Sequence, residues 1–151
     1  MKLNADQISA LTEIDKPFLM LDDAIKVVPG ESSYSKFSVR NKKWISEAHL
    51  ASHDIFPGTI IIESMLQNSI LILYTMEDFK EGKKAFVSRV NSKFIRECKS
   101  GMDLHIHSRL VSLKHGMAEI DSHVVFNDKT LTKGTFSYAC PHLMPRMRQM
   151  K

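Results

Sequence analysis

The most constraining feature of this sequence is an almost uncharged apolar segment that begins after Pro57 and ends near Met76. Proline is tolerated in the first turn of a helix, and the segment is too long for one strand, so the pattern predicts a helix. Apolar residues surround its axis almost completely, and the polar exceptions lie between Glu63 and Ser69. We therefore expect a helix that is buried on most sides, with a sheet wrapped around it.

The remaining sequence has the alternation typical of strands. Before the helix, residues 18–28 and 33–39 flank Pro29-Gly30, which predicts two strands joined by a turn. Four more strands are predicted after it, within residues 84–98 and over residues 103–113, 117–126 and 130–138. Short turns make neighbouring strands antiparallel. The order predicts an α+β fold with an antiparallel sheet around a long central helix, in a single domain of residues 1–151.

Two segments give no such periodic signal. Residues 40–56 are mixed and polar, so we expect a long connecting loop there. Residues 1–14 contain no hydrophobic signal segment, and no apolar run reaches the length of a membrane span. The chain is therefore expected to be a soluble, cytoplasmic protein without a membrane span.

The net charge of +4 and the pI of about 9.1 favour an acidic partner. The basic residues are concentrated after the predicted helix, around the next strand and near residue 150: Lys80, Lys83, Lys84, Arg89, Lys93, Arg96, Lys99, Arg146, Arg148 and Lys151. Any one of them is adequately explained as a solvated surface residue. Because these basic residues are not interleaved with an aromatic platform and no nucleic-acid-binding motif is present, nucleic acid is not the expected partner.

Cysteine and histidine spacings give little support for cross-links or metals. Cys98 and Cys140 lie far apart in a chain large enough to fold without disulfides, so reduced, partly buried thiols are expected. Two histidine pairs have spacings that could share one face: His49 with His53, and His105 with His107. Neither pair has a third soft ligand at a familiar spacing, so no metal site is predicted.

Residues near the start of the predicted helix suggest acid–base chemistry. Glu63 interrupts the apolar helix, and burial raises the pKa of a carboxyl unless a partner compensates. Gly58 lies at the helix N-terminus, where unpaired amides and the helix dipole favour an oxyanion. A histidine in the preceding segment can act as a general base. Spacing alone leaves open that Glu63 is a structural carboxylate bonded to Gln67 or to a neighbouring subunit, and that Gly58 is a simple turn residue.

One stretch resembles a known family. Residues 48–67 read A-H-L-A-S-H-D-I-F-P-G-T-I-I-I-E-S-M-L-Q. They are similar to the motif G-H-F-P-G-x-P-x-x-P-G-V-L-x-x-E-A-x-A-Q of the 3-hydroxyacyl-acyl carrier protein dehydratases of the FabZ and FabA type. The 14-residue spacing of the motif selects His49 rather than His53. The resemblance extends to P-F-L-M-L-D at residues 17–22 and to K-F-I-R at residues 93–96, and it covers residues 8–139 in all.

The resemblance implies a hot-dog fold and a site at a dimer interface. His49 is expected to act as the base and Glu63 of a second subunit as the acid, with the Gly58 amide receiving the thioester oxygen. The remaining residues implied for the site are the Ile55 carbonyl, which orients the histidine, and Pro57 and Gln67 of the helix. The activity implied is dehydration of a 3-hydroxyacyl thioester to a trans-2-enoyl thioester in fatty acid or related lipid or polyketide synthesis.

The resemblance also implies an acidic acyl carrier protein that delivers the substrate on phosphopantetheine, with no metal or other cofactor. The basic residues assigned to that partner are Lys84, Arg89, Lys93, Arg96 and Lys99. Departures from the motif at Leu50-Ala51-Ser52, His53, Asp54 and Thr59 alter the loop after His49 and imply a divergent member. Two alternatives stay open: an acyl thioesterase in which Glu63 activates water, and a non-catalytic acyl-binding subunit of a heterodimer rather than a homodimer or larger homo-oligomer.

Overall fold

The structure is a computed structural model that describes residues 1–145, so Arg146, Arg148 and Lys151 lie outside the described residues. Three α-helices, α1 to α3, span Ala5–Thr12, Lys43–Ala48 and Gly58–Tyr74. Seven strands, β1 to β7, span Leu3–Asn4, Asp23–Val28, Ser32–Ser38, Phe86–Phe94, Asp103–Lys114, Met117–Phe126 and Lys129–Ala139. Short 3-10 helices occupy Val39–Lys42, Glu77–Phe79 and Pro141–Leu143.

The predicted central helix is α3. It begins directly after Pro57, whose missing N–H removes no hydrogen bond at that position, and it ends two residues before Met76. Its C-terminal half, from Gln67 to Tyr74, is buried throughout, whereas Ile60, Ile62 and Glu63 remain half-buried. The helix is therefore covered on all sides only beyond its first turns.

The strands form one antiparallel sheet in the order β1-β2-β3-β5-β6-β7-β4. Two-residue turns join β5 to β6 and β6 to β7, and all four turn residues have positive φ: His115, Gly116, Asn127 and Asp128. Such turns match the twist of paired strands and fix their register. Strand β4 pairs only with β7 and lies at the edge of the sheet, so the segment that contains α3 connects two strands, β3 and β4, that are not neighbours.

The inner face of the sheet packs against α3. Phe37, Ile106, Ile120 and Phe136 come from four strands, are fully buried and belong to the same core as Leu71 of the helix. One face of each strand is thus apolar and covered, as alternation along a strand requires. The α+β hot-dog fold, an antiparallel sheet around a long central helix, is confirmed.

A polar cluster lies inside this core, where α3 meets the sheet. The Oδ1 of Asn68 accepts hydrogen bonds from the hydroxyls of Ser33 at 2.7 Å and Ser35 at 2.6 Å. Its amide nitrogen donates to the Ser33 carbonyl at 3.0 Å and to Ser108 Oγ at 2.9 Å. All four residues are buried. Hydrogen bonding throughout the cluster offsets the cost of desolvating these groups.

The expectation of a long loop over residues 40–56 is wrong. This segment contains a 3-10 turn and the helix α2, which is too short to show a helical period in sequence. Helix α1 was not expected either, although Asn4 and Gln7 form a capping box at its start. The first long strand begins at Asp23 rather than near residue 18, because the side chain of Gln67 holds the backbone of Met20 and Phe18 away from a strand ladder.

The cysteine expectation is confirmed, since Cys98 and Cys140 are both free and buried. Burial raises the pKa of Cys98 to about 12 and that of Cys140 to about 11. Among the helices of residues 1–145, none combines the length and the apolar character needed to cross a membrane. The same residues contain no group of three or more potential metal ligands.

Candidate functional site

His49 terminates α2 and is held in one orientation. It is the C-cap residue of that helix, and its Nδ1 lies 3.0 Å from the carbonyl oxygen of Ile55. A carbonyl oxygen only accepts, so Nδ1 must carry the proton, and Nε2 keeps a free lone pair in the neutral ring. The imidazole therefore presents a proton acceptor on the side away from Ile55.

The loop between His49 and α3 is fixed by backbone hydrogen bonds. His53 N donates to the Leu50 carbonyl at 2.7 Å, and Phe56 N donates to the Cys98 carbonyl at 2.7 Å. Leu50 has a positive φ of 45°, which is unusual for a leucine and closes the turn. The His53 ring is exposed and contacts Ser52 Oγ at 2.9 Å. Only His49 of the two histidines is therefore directed back into the fold.

Glu63 occupies the second turn of α3, and its carboxyl group is held by Gln67. Gln67 Nε2 donates to Glu63 Oε2 at 3.0 Å and to the Phe18 carbonyl at 2.9 Å, while its Oε1 accepts from Met20 N at 2.8 Å. Burial raises the pKa of Glu63, and the bond from Gln67 opposes that shift in part. The environment therefore favours the protonated carboxylic acid more than water does.

The backbone amides at the start of α3 are the third component of the candidate site, after His49 and Glu63. The Pro57 carbonyl accepts hydrogen bonds from Ile60 and Ile61, so the helix begins there, and no hydrogen bond of residues 1–145 uses the Gly58 or Thr59 amide. Gly58 borders a cavity of about 460 Å³ together with Phe94, Cys98 and Thr132. A helix N-terminus next to such a cavity can bind a developing negative charge.

Phe94 covers this helix start. A Cβ added to Gly58 would lie 2.6 Å from Cε1 of the Phe94 ring, closer than side chains pack. Glycine is therefore required at residue 58 for this contact. The family resemblance includes Phe94, but no sequence pattern predicts its contact with Gly58, which lies 36 residues earlier in the chain. Only the pairing of β4 with β7 brings the ring to the helix.

His49 faces a second apolar cavity of about 360 Å³, which also contacts Phe18, Trp44, Pro57 and Ile60. Within the described chain, no hydrogen bond or ion pair joins His49 to Glu63, and Glu63 does not line this cavity. The two side chains are therefore not in direct contact within one copy of the protein.

The basic residues predicted to contact a carrier protein fall in different places. Lys84 forms an ion pair with Glu13 at 2.8 Å and lies over the Tyr74 ring, near the C-terminal end of α3. Arg89 and Lys93 are exposed on β4 and face away from the helix. Arg96 borders the cavity at Gly58, and the exposed Lys99 follows Cys98 in the same segment. Arg96 and Lys99 are thus nearest to the start of α3.

Comparison with known proteins agrees with this architecture. A family model described as a FabA-like domain matches residues 14–135, which is most of the chain. The chain belongs to the FabA-like family. A 3-hydroxyacyl-[acyl-carrier-protein] dehydratase FabZ from Enterococcus faecalis is 30% identical over 115 residues, which are 76% of this chain and 81% of that protein.

Solved structures extend the similarity of this FabA-like protein at the level of the fold. An uncharacterized protein from Pyrococcus horikoshii has a TM-score of 0.67 at 10% identity, covering 83% of this chain and 86% of its own. A candidate thioesterase related to phenylacetic acid degradation, from Ralstonia eutropha, has a TM-score of 0.62 at 16% identity, covering 77% and 82%. At such identities the structures are evidence for the hot-dog fold alone.

Proposed function

We propose that this FabA-like protein dehydrates a 3-hydroxyacyl thioester carried by an acyl carrier protein. The observation that carries the proposal is the contrast between two titratable groups next to the start of α3. The Ile55 carbonyl fixes the tautomer of His49 so that Nε2 is its proton acceptor, while burial raises the pKa of Glu63 and favours its acid form. A proton acceptor and a proton donor are what an elimination of water requires.

In the proposed reaction, His49 Nε2 removes a proton from C2 of the acyl chain. The electron pair moves towards the thioester carbonyl, and the charge on its oxygen is stabilised by the free Gly58 amide. The C2–C3 double bond then forms as the C3–O bond breaks, and Glu63 donates its proton to the departing hydroxyl. The products are water and a trans-2-enoyl thioester, and transfer of the proton from His49 to Glu63 restores the enzyme.

We further propose that each site combines residues of two copies in a homodimer. Strand β4 has one unpaired edge, and the apolar residues on its inner face are unusually exposed: Val87 at 47%, Val90 at 46% and Phe94 at 52%. Contiguous exposed apolar residues on a sheet edge favour association with another chain. A second copy paired along β4 would add side chains near the first turns of α3, where Ile62 and Glu63 are half-buried.

Mixing two inactive variants tests the shared site. His49→Ala and Glu63→Gln chains, unfolded and refolded together, should recover about a quarter of parental activity, because half of the random dimers contain one intact site. Each variant refolded alone is the control and should stay inactive. Failure to recover activity, with mixed dimers demonstrated by differently tagged copies, would contradict a site built from two chains.

The carrier protein is proposed to dock where Arg96 lines the cavity at Gly58 and the exposed Lys99 follows in the same segment, so that its phosphopantetheine arm enters beside Phe94. No further cofactor enters the proposed reaction. A salt-dependent rise in KM for the carrier-linked substrate is expected in Arg96→Glu, whereas KM for a short pantetheine thioester should change little. An equal effect on both substrates would argue against carrier docking there.

Product analysis tests the reaction itself. Incubation with a 3-hydroxyacyl thioester should give an enoyl product with its thioester intact, and the reverse hydration of an enoyl thioester should also occur. A thioesterase, the second candidate suggested by the structural similarity to a candidate thioesterase, would instead release free acid and free thiol. A non-catalytic subunit would give neither product, and His49→Ala would then match the parent.

A further inference from the structure

The outer face of the sheet, opposite to α3, carries a continuous transverse line of side chains that the proposed reaction does not use. Adjacent strands pair Lys26 with Tyr34, Tyr34 with His107, His107 with His123, His123 with Lys133, and Lys133 with Lys93. We call these six residues the outer row. One residue comes from each of the strands β2, β3, β5, β6, β7 and β4, so the row crosses nearly the whole sheet.

The centre of the outer row is a stack of rings. Tyr34 lies parallel to His107 with ring centroids 4.5 Å apart, and His107 lies parallel to His123 at 5.1 Å. Tyr34 Oη is also 2.7 Å from Nδ1 of His105, which neighbours the row on β5. These rings stack on one another across three strands, so both faces of His107 and one face each of Tyr34 and His123 are covered.

The ends of the outer row are cationic, and the row contains no acidic residue. Lys26, Lys93 and Lys133 are exposed. Acidic residues lie in both adjoining lines: Asp121 is engaged by Arg109 at 3.3 Å and by Thr135 Oγ1 at 2.9 Å, and Asp23 lies opposite Lys36. A groove of about 490 Å³ lies between Lys93, Lys133 and His123. The surface thus offers cations and hydrogen-bond donors around a concave region whose own carboxylate, Asp121, is already engaged.

We propose that the outer row binds an acidic helix of a partner protein. Five strand spacings of about 4.8 Å give the row a length of about 24 Å. A helix of about 16 residues has the same length, so carboxylates along one helix face can reach cations at both ends and imidazoles at the centre. The proposal does not depend on the dehydratase reaction, since none of the six side chains lines the cavities at His49 or Gly58.

Other occupants fit this surface less well. Single-stranded nucleic acid is bound largely by bases stacking on open ring faces, and in the outer row both faces of His107 and one face each of Tyr34 and His123 are covered by neighbouring rings. A second copy placed face to face would bring lysines against lysines, which is unfavourable. Charge complementarity therefore selects a carboxylate-rich protein segment.

Binding of such a helix should strengthen as the pH falls. Burial lowers the pKa of His107 and of His123, and the neighbouring imidazoles add to the shift at His107. The groups facing His107 are Tyr34, His105 and His123, and those facing His123 are His107 and Lys133. Both rings are therefore mostly neutral at pH 7, and carboxylates of a bound helix would draw protons onto them below that pH.

Fluorescence anisotropy with a labelled 16-residue peptide of glutamate and alanine tests the proposal on the full chain. We expect at least tenfold tighter binding at pH 5.5 than at pH 7.5. The Lys93→Glu/Lys133→Glu double variant should weaken binding at least tenfold at both pH values. A His107→Gln/His123→Gln variant should lose the pH dependence and keep the affinity measured at pH 7.5.

The matched control is Lys80→Glu/Lys83→Glu, which makes the same charge change outside the outer row and should bind like the parent. If the thermal midpoint shows that the glutamate variant does not fold, the neutral Lys93→Gln/Lys133→Gln variant replaces it in the binding measurement. Equal loss of binding in the control variant would overturn the proposal. So would tighter binding of an oligothymidylate of equal charge, or a pH dependence that survives in the histidine variant.

Discussion

The two halves of α3 differ in how completely their polar groups are hydrogen-bonded. In the buried half, the Asn68 amide is matched by three serine residues, and nothing in the cluster faces solvent. In the first turns, the Gly58 amide and one oxygen of Glu63 have no partner among the described residues, although both lie in mainly apolar surroundings. The first arrangement stabilises one packing, whereas the second keeps polar groups available to a ligand.

This difference suggests that the buried half of α3 determines stability and its first turns determine activity. Substitutions at the open end should then reduce catalysis and leave unfolding almost unchanged, and substitutions in the buried cluster should do the reverse. The following variants test that separation.

The largest effect is expected from the two groups proposed to transfer protons. His49→Ala and Glu63→Gln should each lower kcat/KM for enoyl thioester hydration about 10³-fold or more, because each removes a general acid or base. His53→Ala is the matched control and should retain most activity, since its ring is exposed and faces Ser52. Thermal midpoints close to that of the parent are expected for all three. A large loss of stability in the first two variants would contradict the separation of activity from stability along α3.

Next, Asn68→Leu should destabilise the fold by about 3 kcal/mol or more, because it leaves several buried serine hydroxyls without their partner. Urea unfolding of the variant and the parent measures the difference in free energy. The control is Asn91→Leu on the exposed edge strand, where a change within about 0.5 kcal/mol is expected. Near-equal stability of the two variants would mean that the buried cluster is not a stabilising element.

A smaller effect is expected at the helix start. Gly58→Ala should lower kcat/KM about 10²-fold, as removal of one oxyanion contact does, because a methyl group would occupy the approach to the first amides. Stability should change little, since the half-exposed Phe94 ring can rotate away from the new methyl group. Phe94→Ala, assayed in parallel, should keep more than about a tenth of the activity because the amides stay free. A larger loss of kcat/KM in Phe94→Ala than in Gly58→Ala would mean that the Phe94 ring, rather than the amides, contributes most to catalysis at the helix start.

The smallest effect concerns the pH dependence. Glu63 must be protonated to act as the acid, so activity should decline as the pH rises through its raised pKa. The hydrogen bond from Gln67 stabilises the ionised form and lowers that pKa. Gln67→Leu should therefore move the alkaline decline of kcat/KM to higher pH. A rate–pH profile from pH 5 to about 10 measures it, and a shift to lower pH would contradict the assignment of Glu63 as the acid.

Local sequence was sufficient to predict the structural features that depend on residues close together in the chain. The apolar run after Pro57 determines α3, and the short turns at residues 115–116 and 127–128 determine the hairpins of β5 to β7. The spacing of His49 and Glu63 likewise follows from a motif within 20 residues. Helix and strand periods and turn chemistry act over a few residues, so the sequence contains them directly. Helix α2 escaped prediction because six residues are too few to establish a period.

Tertiary structure alone decided which distant residues meet. The placement of β4 beside β7, rather than beside β3, brings the Phe94 ring onto Gly58 and leaves the apolar β4 edge uncovered. The register of six strands aligns three lysines, two histidines and a tyrosine in the outer row, although no segment of the sequence shows that pattern. Such contacts depend on topology and register, which are set by the packing of the whole core and not by any local stretch.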